Sequence, residues 1–112
     1  MNRTARQFLP LTEATYVILA ALTAPRHGYS IMQVAGEASN SAGKLGPGTL
    51  YTALAKLAEQ GLIRRAGESG SNEERRKLYE LTELGREVVE LETARLSALA
   101  GWGRAQLQGK SS

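Results

Sequence analysis

Lys44 to Ile63 reads KLGPGTLYTALAKLAEQGLI, and this stretch decides the fold. Pro47 follows Gly46, and a proline suits the first turn of a helix because its φ is already helical and its missing N–H would have no partner there. Leucines then recur at helical spacing, and Gly61 can adopt the left-handed conformation that ends a helix in a Schellman motif. We therefore predict an amphipathic helix within residues 44–60 that starts at the Gly-Pro pair.

The face of this helix opposite the leucines carries small hydroxyls, an aromatic hydroxyl and a cation. A helix that reads the major groove of DNA needs small polar side chains near its start, because it must come close to the base edges and its free N–H groups can meet a phosphate. An ordinary amphipathic helix with a solvated face has a similar composition, so the neighbouring segments decide between the two interpretations. The residues concerned are Thr49, Tyr51, Thr52, Lys56 and Glu59.

Two helices precede this one and a hairpin follows it. Thr12 can cap the first helix and Pro25 ends it, and the second helix runs from about Tyr29 to Ser39. After Gly61 the pattern becomes extended, which predicts strands over 62–66 and 77–81 joined by a glycine- and serine-rich tip. The predicted fold class is therefore mainly α with a small β-wing, a winged helix-turn-helix domain.

The net charge of the chain is +3, and the positive surplus is unevenly distributed. Residues 44–77, which include Lys44, contain seven basic and four acidic side chains, a surplus of three, whereas residues 82–112 contain four of each. A surface that binds phosphates would concentrate positive charge in this way. The distribution favours nucleic acid as the partner of the predicted helix and wing.

The composition leaves few residues for catalysis or metal binding. The chain has no cysteine and no aspartate, and His27 is its only histidine, which we expect to hydrogen bond locally at the start of the second helix. We therefore expect no enzyme activity, no metal site and no cofactor. No apolar run is long enough to span a membrane, and residues 1–10 lack the apolar core of a signal peptide, which predicts a soluble, cytoplasmic protein.

A long helix is predicted after the wing. Thr82 can cap it, and a helix from Glu83 to Gln108 would be roughly 39 Å long, more than one small domain can cover. Two apolar stripes predict that one side packs on its own domain and the other on a second copy of the chain. We predict a homodimer in which residues 1–81 form the DNA-binding domain, starting with a flexible arm over 1–10, and residues 82–112 form a dimerisation region. The predicted dimer contacts are Leu84, Val88, Leu91, Leu96, Leu99 and Trp102.

Trp102 is the only tryptophan and lies between Gly101 and Gly103. Each glycine inside a helix costs about 1 kcal/mol relative to alanine, so the pair indicates a close backbone approach or the end of the helix. If two copies place Trp102 across the dimer axis, a flat aromatic effector could stack between the rings. The alternative role, an aromatic anchor of the dimer interface, is compatible with the first.

Four segments resemble the PadR family of bacterial winged-helix transcriptional regulators: LTEATYVILAAL, PRHGYSIM, LGPGTLYTALAKLAEQGLI and RRKLYELTELGRE. The resemblance covers roughly residues 9–90, and the HGY and GPGTLY elements in this order are its most specific part. It implies a two-fold dimer on a pseudo-palindromic operator of double-stranded DNA. It also implies that Tyr29, Thr49, Tyr51, Thr52 and Lys56 face DNA and that Arg75, Arg76 and Lys77 belong to the wing.

Taken together, the residues and the resemblance predict a homodimeric, DNA-binding transcriptional regulator, most simply a repressor of nearby genes that a small molecule releases. The main alternative is a winged-helix module that binds proteins and not DNA, because the same fold serves both purposes. A small-molecule carrier built on the dimer groove is a third alternative. Salt-dependent DNA binding separates the first hypothesis from the other two.

Overall fold

The computed structural model describes residues 4–38, 45–69 and 76–109, and it confirms a mainly helical chain with one small antiparallel sheet. The order of elements is that of a winged helix-turn-helix domain followed by a long helix. A single 3-10 turn at Ala5–Phe8 precedes helices α1 (Glu13–Ala21), α2 (Gly28–Ala38) and α3 (Pro47–Glu59), strands β1 (Ile63–Ser69) and β2 (Arg76–Leu81), and helix α4 (Glu83–Leu107).

Helix α3 begins and ends where its local chemistry predicts. Gly46 is the N-cap and Pro47 is the first helical residue. At the other end Gly61 has a φ of 80°, and its N–H donates to the carbonyl of Ala58 at 3.0 Å. The N–H of Leu62 donates to the carbonyl of Leu57, also at 3.0 Å. These two bonds define a Schellman motif, which fixes the direction in which the chain leaves α3 for β1.

The leucine stripe of α3 points into the core. The three leucines of the stripe are buried, and so are the residues they join from the other helices. Because the buried stripe fixes the rotation of α3, its polar side must face outward. The core includes Leu50, Leu54 and Leu57 of α3, Ile18 and Leu19 of α1, Ile31 of α2, Leu62 and Ile63 at the start of β1, and Val88 of α4.

Strands β1 and β2 pair antiparallel and confirm the predicted hairpin, with Ile63 opposite Leu81 at its base. One residue of the loop between α1 and α2 also pairs with β2, as an isolated antiparallel bridge. The N–H of Arg26 donates to the carbonyl of Tyr79 at 3.0 Å, and the N–H of Tyr79 donates to the carbonyl of Arg26 at 2.9 Å. The outer edge of β2 is therefore partly covered, and the base of the wing is tied to the segment that leads into α2.

The prediction of a flexible arm over residues 1–10 is wrong for Ala5–Phe8. Ala5 is buried, and Phe8 and Leu9 pack against the main core. The N–H of Leu11 donates to Oε2 of Glu92 at 2.8 Å, across 81 positions of sequence. This segment is ordered because its apolar side chains cover the core and its backbone meets a buried acceptor.

Glu92 is a charged side chain with 0% exposure, and three hydrogen bonds account for it. Arg95 binds its carboxylate with both ends of the guanidinium, Nε to Oε1 at 2.6 Å and Nη2 to Oε2 at 2.9 Å. The third donor is the Leu11 N–H. The Arg95 hydrogen bonds and the Leu11 N–H hold the pKa of Glu92 below its usual value, against the opposing effect of burial.

The buried and the exposed apolar residues of α4 lie in successive parts of the helix and not on opposite faces of it. Val88 and Val89 are neighbours and so point in different directions around the helix, yet they are 0% and 8% exposed and both belong to the core. Leu84 and Leu91 also pack against that core. The prediction that Val88 contacts a second copy is therefore wrong, because Val88 lies in the core of its own domain. Beyond Glu92 the large apolar side chains are exposed, namely Leu96, Leu99, Trp102 and Leu107.

Candidate nucleic-acid interface

The outward face of α3 carries the polar side chains that the sequence predicted there. Thr49, Thr52 and Lys56 are exposed and line one open groove together with Gly48 and Ala53. A Cβ placed on Gly48 would meet no described atom within 4 Å, so packing among the described residues does not require a glycine at this position. The groove is shallow and most of the side chains that line it are small, which suits the close approach of a double helix.

Tyr51 occupies a different position from its neighbours on α3. Its side chain is 49% exposed, and its phenol ring lies against the backbone of Gly28 at the start of α2. A Cβ on Gly28 would collide with the hydroxyl of Tyr51 and would lie 2.8 Å from its Cζ, closer than such contacts allow. The GPGTLY tyrosine and the HGY glycine therefore form one packing unit, a relation that no local sequence pattern shows.

Tyr29 lies beside this unit at the first turn of α2 and is 60% exposed. The structure thus brings both predicted tyrosines to the edge where α2 and α3 begin. Helix N-termini and phenolic hydroxyls are both donors for a phosphate oxygen. This edge can hold a nucleic-acid backbone while the groove on α3 meets the bases.

The two residues before α2 have structural roles. His27 accepts a hydrogen bond at Nδ1 from the N–H of Ser30 at 3.3 Å, which confirms its predicted local bonding. Arg26 donates from Nε to the carbonyl of Ala21 at 2.7 Å and from Nη1 to the hydroxyl of Ser30 at 3.2 Å. Sequence reasoning assigned no role to Arg26, and its place directly after Pro25, in the connection between α1 and α2, was the available signal. Arg26 closes the α1–α2 corner.

The wing is only partly covered by the description. Lys77 is exposed on β2. Arg76 begins β2, but its side chain lies outside the described part of the structure, and Lys44 and Arg75 lie wholly outside the described residues. Their predicted contacts with DNA stay predictions.

Two cations on the described part of this surface, Arg64 and Lys56, differ in whether another side chain pairs with them. Arg64 on β1 pairs with Glu80 on β2 (Nε to Oε2, 2.8 Å), and both side chains are partly exposed, so solvent screens this pair. The side chain of Lys56 makes no hydrogen bond or ion pair within the described ranges. A cation without an internal partner, on the groove of α3, is available to a phosphate.

Within the described ranges, no three His, Cys, Asp or Glu side chains lie close enough together to hold a metal ion. None of the helices described combines the length and the apolar character that crossing a bilayer demands. The described surface has an exposed polar face on α3 and an exposed apolar half of α4.

The chain is similar to known proteins in both sequence and fold. The family model described as "Transcriptional regulator PadR-like family" matches residues 18–91. Among solved structures, the chain is similar to a PadR family transcription regulator from Clostridium difficile R20291, with 26% identity and a TM-score of 0.72 over 86% of this chain and 99% of that one. It is also similar to Bacillus subtilis PadR in complex with operator DNA, with 25% identity and a TM-score of 0.58 over 68% of this chain and 44% of that one.

A relative known from sequence is an uncharacterized 37.1 kDa protein in transposon TN4556 of Streptomyces fradiae. It is 38% identical over 90 residues, which are 80% of this chain. The chain spans only 24% of the length of that protein.

Proposed function

Because this chain belongs to the PadR-like family of transcriptional regulators, we propose that it binds operator DNA as a homodimer in the cytoplasm and represses nearby genes. The observation that carries the proposal is the polar face of α3. Thr49, Thr52 and Lys56 line an exposed groove directly opposite a stripe of buried leucines. The core fixes which side of α3 is presented, and that side has the small donors a major-groove helix needs.

Each predicted DNA contact has a distinct task in this proposal. Thr49 and Thr52 meet base edges, because short hydroxyl side chains let α3 enter deeply. Lys56 neutralises a phosphate, and the hydroxyls of Tyr29 and Tyr51 hold the backbone beside it. Four cations complete the phosphate contacts from the start of α3 and from the wing, namely Lys44, Arg75, Arg76 and Lys77.

Dimerisation is assigned to the second half of α4. Leu96, Leu99 and Trp102 are exposed there, and Trp102 has 63% of its surface open to solvent. A second copy packed along this half would cover these side chains. Two-fold symmetry would then set the two α3 helices about 34–36 Å apart, one turn of DNA, for a pseudo-palindromic operator.

Control by a ligand follows from the same geometry. A flat aromatic effector that stacks between the two Trp102 side chains would bind one dimer geometry better than another. It would shift operator affinity only by that difference in its own affinity. This proposal predicts that effector binding changes the fluorescence of the chain's only tryptophan.

The decisive experiment is operator binding by the purified chain at several salt concentrations. Fragments from upstream of its own gene are compared with a random fragment, using the unaltered chain, Lys56→Ala and Arg104→Ala. Both substitutions remove one exposed cation, but Arg104 lies near the end of α4, far along the chain from α3. We expect the unaltered chain to bind its upstream fragment selectively. The slope of log K against log salt should become less steep by about two in Lys56→Ala, one for each copy in the dimer, and should not change in Arg104→Ala.

Weak, equal binding to every fragment, with no difference between the two variants, would contradict the proposal. The winged-helix protein-interaction module would then be the better hypothesis. Repression is tested separately, by placing the operator upstream of a reporter and comparing expression with and without the protein.

A further inference from the structure

A cleft lies beside the α3 groove, where the N-terminal segment and the start of α1 meet the last turns of α3. Its volume is about 220 Å³. Phe8 comes from the 3-10 turn, Thr15 from α1 and Lys56 from α3, so three elements build it. The space equals roughly seven waters at liquid density, which is enough for a small organic molecule.

The floor and the rim of the cleft differ in chemistry. Phe8, Leu57 and Leu62 supply an apolar floor, and the two leucines are themselves core residues. Thr15, Lys56 and Gln60 supply the polar rim. No acidic side chain is among the described residues that line the cleft. Its polar end therefore favours a negatively charged group.

The hydrogen bonds between Thr12 and Thr15 also favour a ligand that accepts hydrogen bonds. Thr12 Oγ1 accepts the N–H of Thr15 at 3.1 Å and donates to Thr15 Oγ1 at 2.9 Å. The hydroxyl hydrogen of Thr15 is left to donate elsewhere. Together with the ammonium of Lys56, which has no internal partner among the described residues, the cleft presents two donors to one ligand. A carboxylate accepts both.

We propose that this cleft binds a small aliphatic carboxylate, with its chain on Leu57 and Leu62 and its carboxylate between Thr15 and Lys56. The cleft volume suits a chain of about six carbons. Lys56 lines both this cleft and the outer groove of α3. The site itself stands independently of DNA binding, whereas its consequence rests on the proposed function: a bound carboxylate engages Lys56 and lowers operator affinity.

The test uses the full chain labelled with ¹⁵N and titrated with sodium hexanoate, followed by two-dimensional amide spectra. Hexanamide is the uncharged control of the same length. We expect saturable shifts confined to amides in residues 8–15 and 53–62, with weaker binding of hexanamide. Lys56→Gln should weaken hexanoate binding about three- to tenfold. Arg104→Gln, which removes an exposed cation from the last turn of α4, should leave it unchanged.

Thr15→Val is the second variant and should also weaken hexanoate binding, since it removes the other donor. Equal binding of hexanoate and hexanamide, or an unchanged affinity in Lys56→Gln, would overturn the proposal. So would shifts confined to the exposed half of α4. These spectra need no DNA, so failure of the site would leave the regulator proposal standing, and failure of operator binding would leave the site standing.

Discussion

Replacing Gly28 by alanine tests whether the contact between Gly28 of α2 and Tyr51 of α3 positions Tyr51 for DNA binding. The new Cβ would stand 2.8 Å from Cζ of Tyr51, and carbon atoms prefer about 3.5–4.0 Å, so the ring must retreat by roughly 1 Å. Tyr51 is half exposed, which lets its ring swing toward solvent while the helices stay in place. The substitution therefore moves a proposed DNA contact more than it strains the core.

Two effects of this substitution on the free energy of unfolding have opposite signs: the cost of overpacking and the higher helix propensity of alanine. Overpacking costs typically 1–3 kcal/mol when the neighbour cannot move, and alanine gains up to about 1 kcal/mol over glycine in a helix. With a ring that yields, we expect the free energy of unfolding to change by no more than about 1 kcal/mol. Losing the placement of one phosphate contact should lower operator affinity about tenfold in each half-site.

The assay combines urea unfolding with operator binding for a double-mutant cycle of Gly28→Ala and Tyr51→Ala. If Gly28 acts through Tyr51, the loss of affinity caused by Gly28→Ala should vanish in the Tyr51→Ala background. Gly48→Ala is the stability control, because its Cβ meets no described atom within 4 Å. An unchanged operator affinity in Gly28→Ala, or the same loss in both backgrounds, would refute the reasoning.

Three further predictions concern the frame around the interface. Gly85→Ala should lower the free energy of unfolding by about 2–4 kcal/mol in urea titrations, because its Cβ would meet the backbone carbonyl of Leu62, whose carbon lies 3.0 Å away and cannot yield as a side chain does. The lowered pKa of Glu92 contributes stability that is present above the unfolded pKa of about 4.3 and is lost as pH falls through the lower folded pKa. Urea midpoints measured from pH 7 down to pH 3 should therefore fall less steeply for Glu92→Gln, which is also less stable at pH 7; parallel curves would contradict this. Leu99→Glu combined with Trp102→Glu should give monomers in analytical ultracentrifugation with an unchanged far-UV spectrum, whereas dimers in that variant would place the interface elsewhere.

Sequence reasoning succeeded where the signal is local. The Gly-Pro entry, the leucine spacing and Gly61 fixed α3 to within a residue or two, because capping and periodicity involve only neighbouring positions. Thr12 and Thr82 each cap a helix as expected. The family resemblance rested on these same stretches, and the family match over residues 18–91 confirms it.

What escaped prediction depends on contacts between distant positions. The order of Ala5–Phe8 requires a core to cover and a carboxylate 81 positions away from Leu11, neither of which local composition records. The burial of Val88 follows from where the domain ends beside α4, and periodicity contains no such information. The contact of Tyr51 with Gly28 joins two motifs that look independent in the chain.

The place where α4 leaves its domain has a mechanical consequence. Arg95, which lies three residues further along α4, orients the Glu92 carboxylate, and the N–H of Leu11 joins that carboxylate to the N-terminal segment, so this hydrogen bond ties α4 to its domain at the exit. Residues 93–107 beyond this exit form a lever roughly 22 Å long. A tilt of about 10° at that fulcrum would displace the domain by roughly 4 Å relative to the lever tip, close to the 3.4 Å rise of one base pair. In the proposed dimer, the contacts of α4 at this exit would therefore limit how far the two domains can move out of step with an operator.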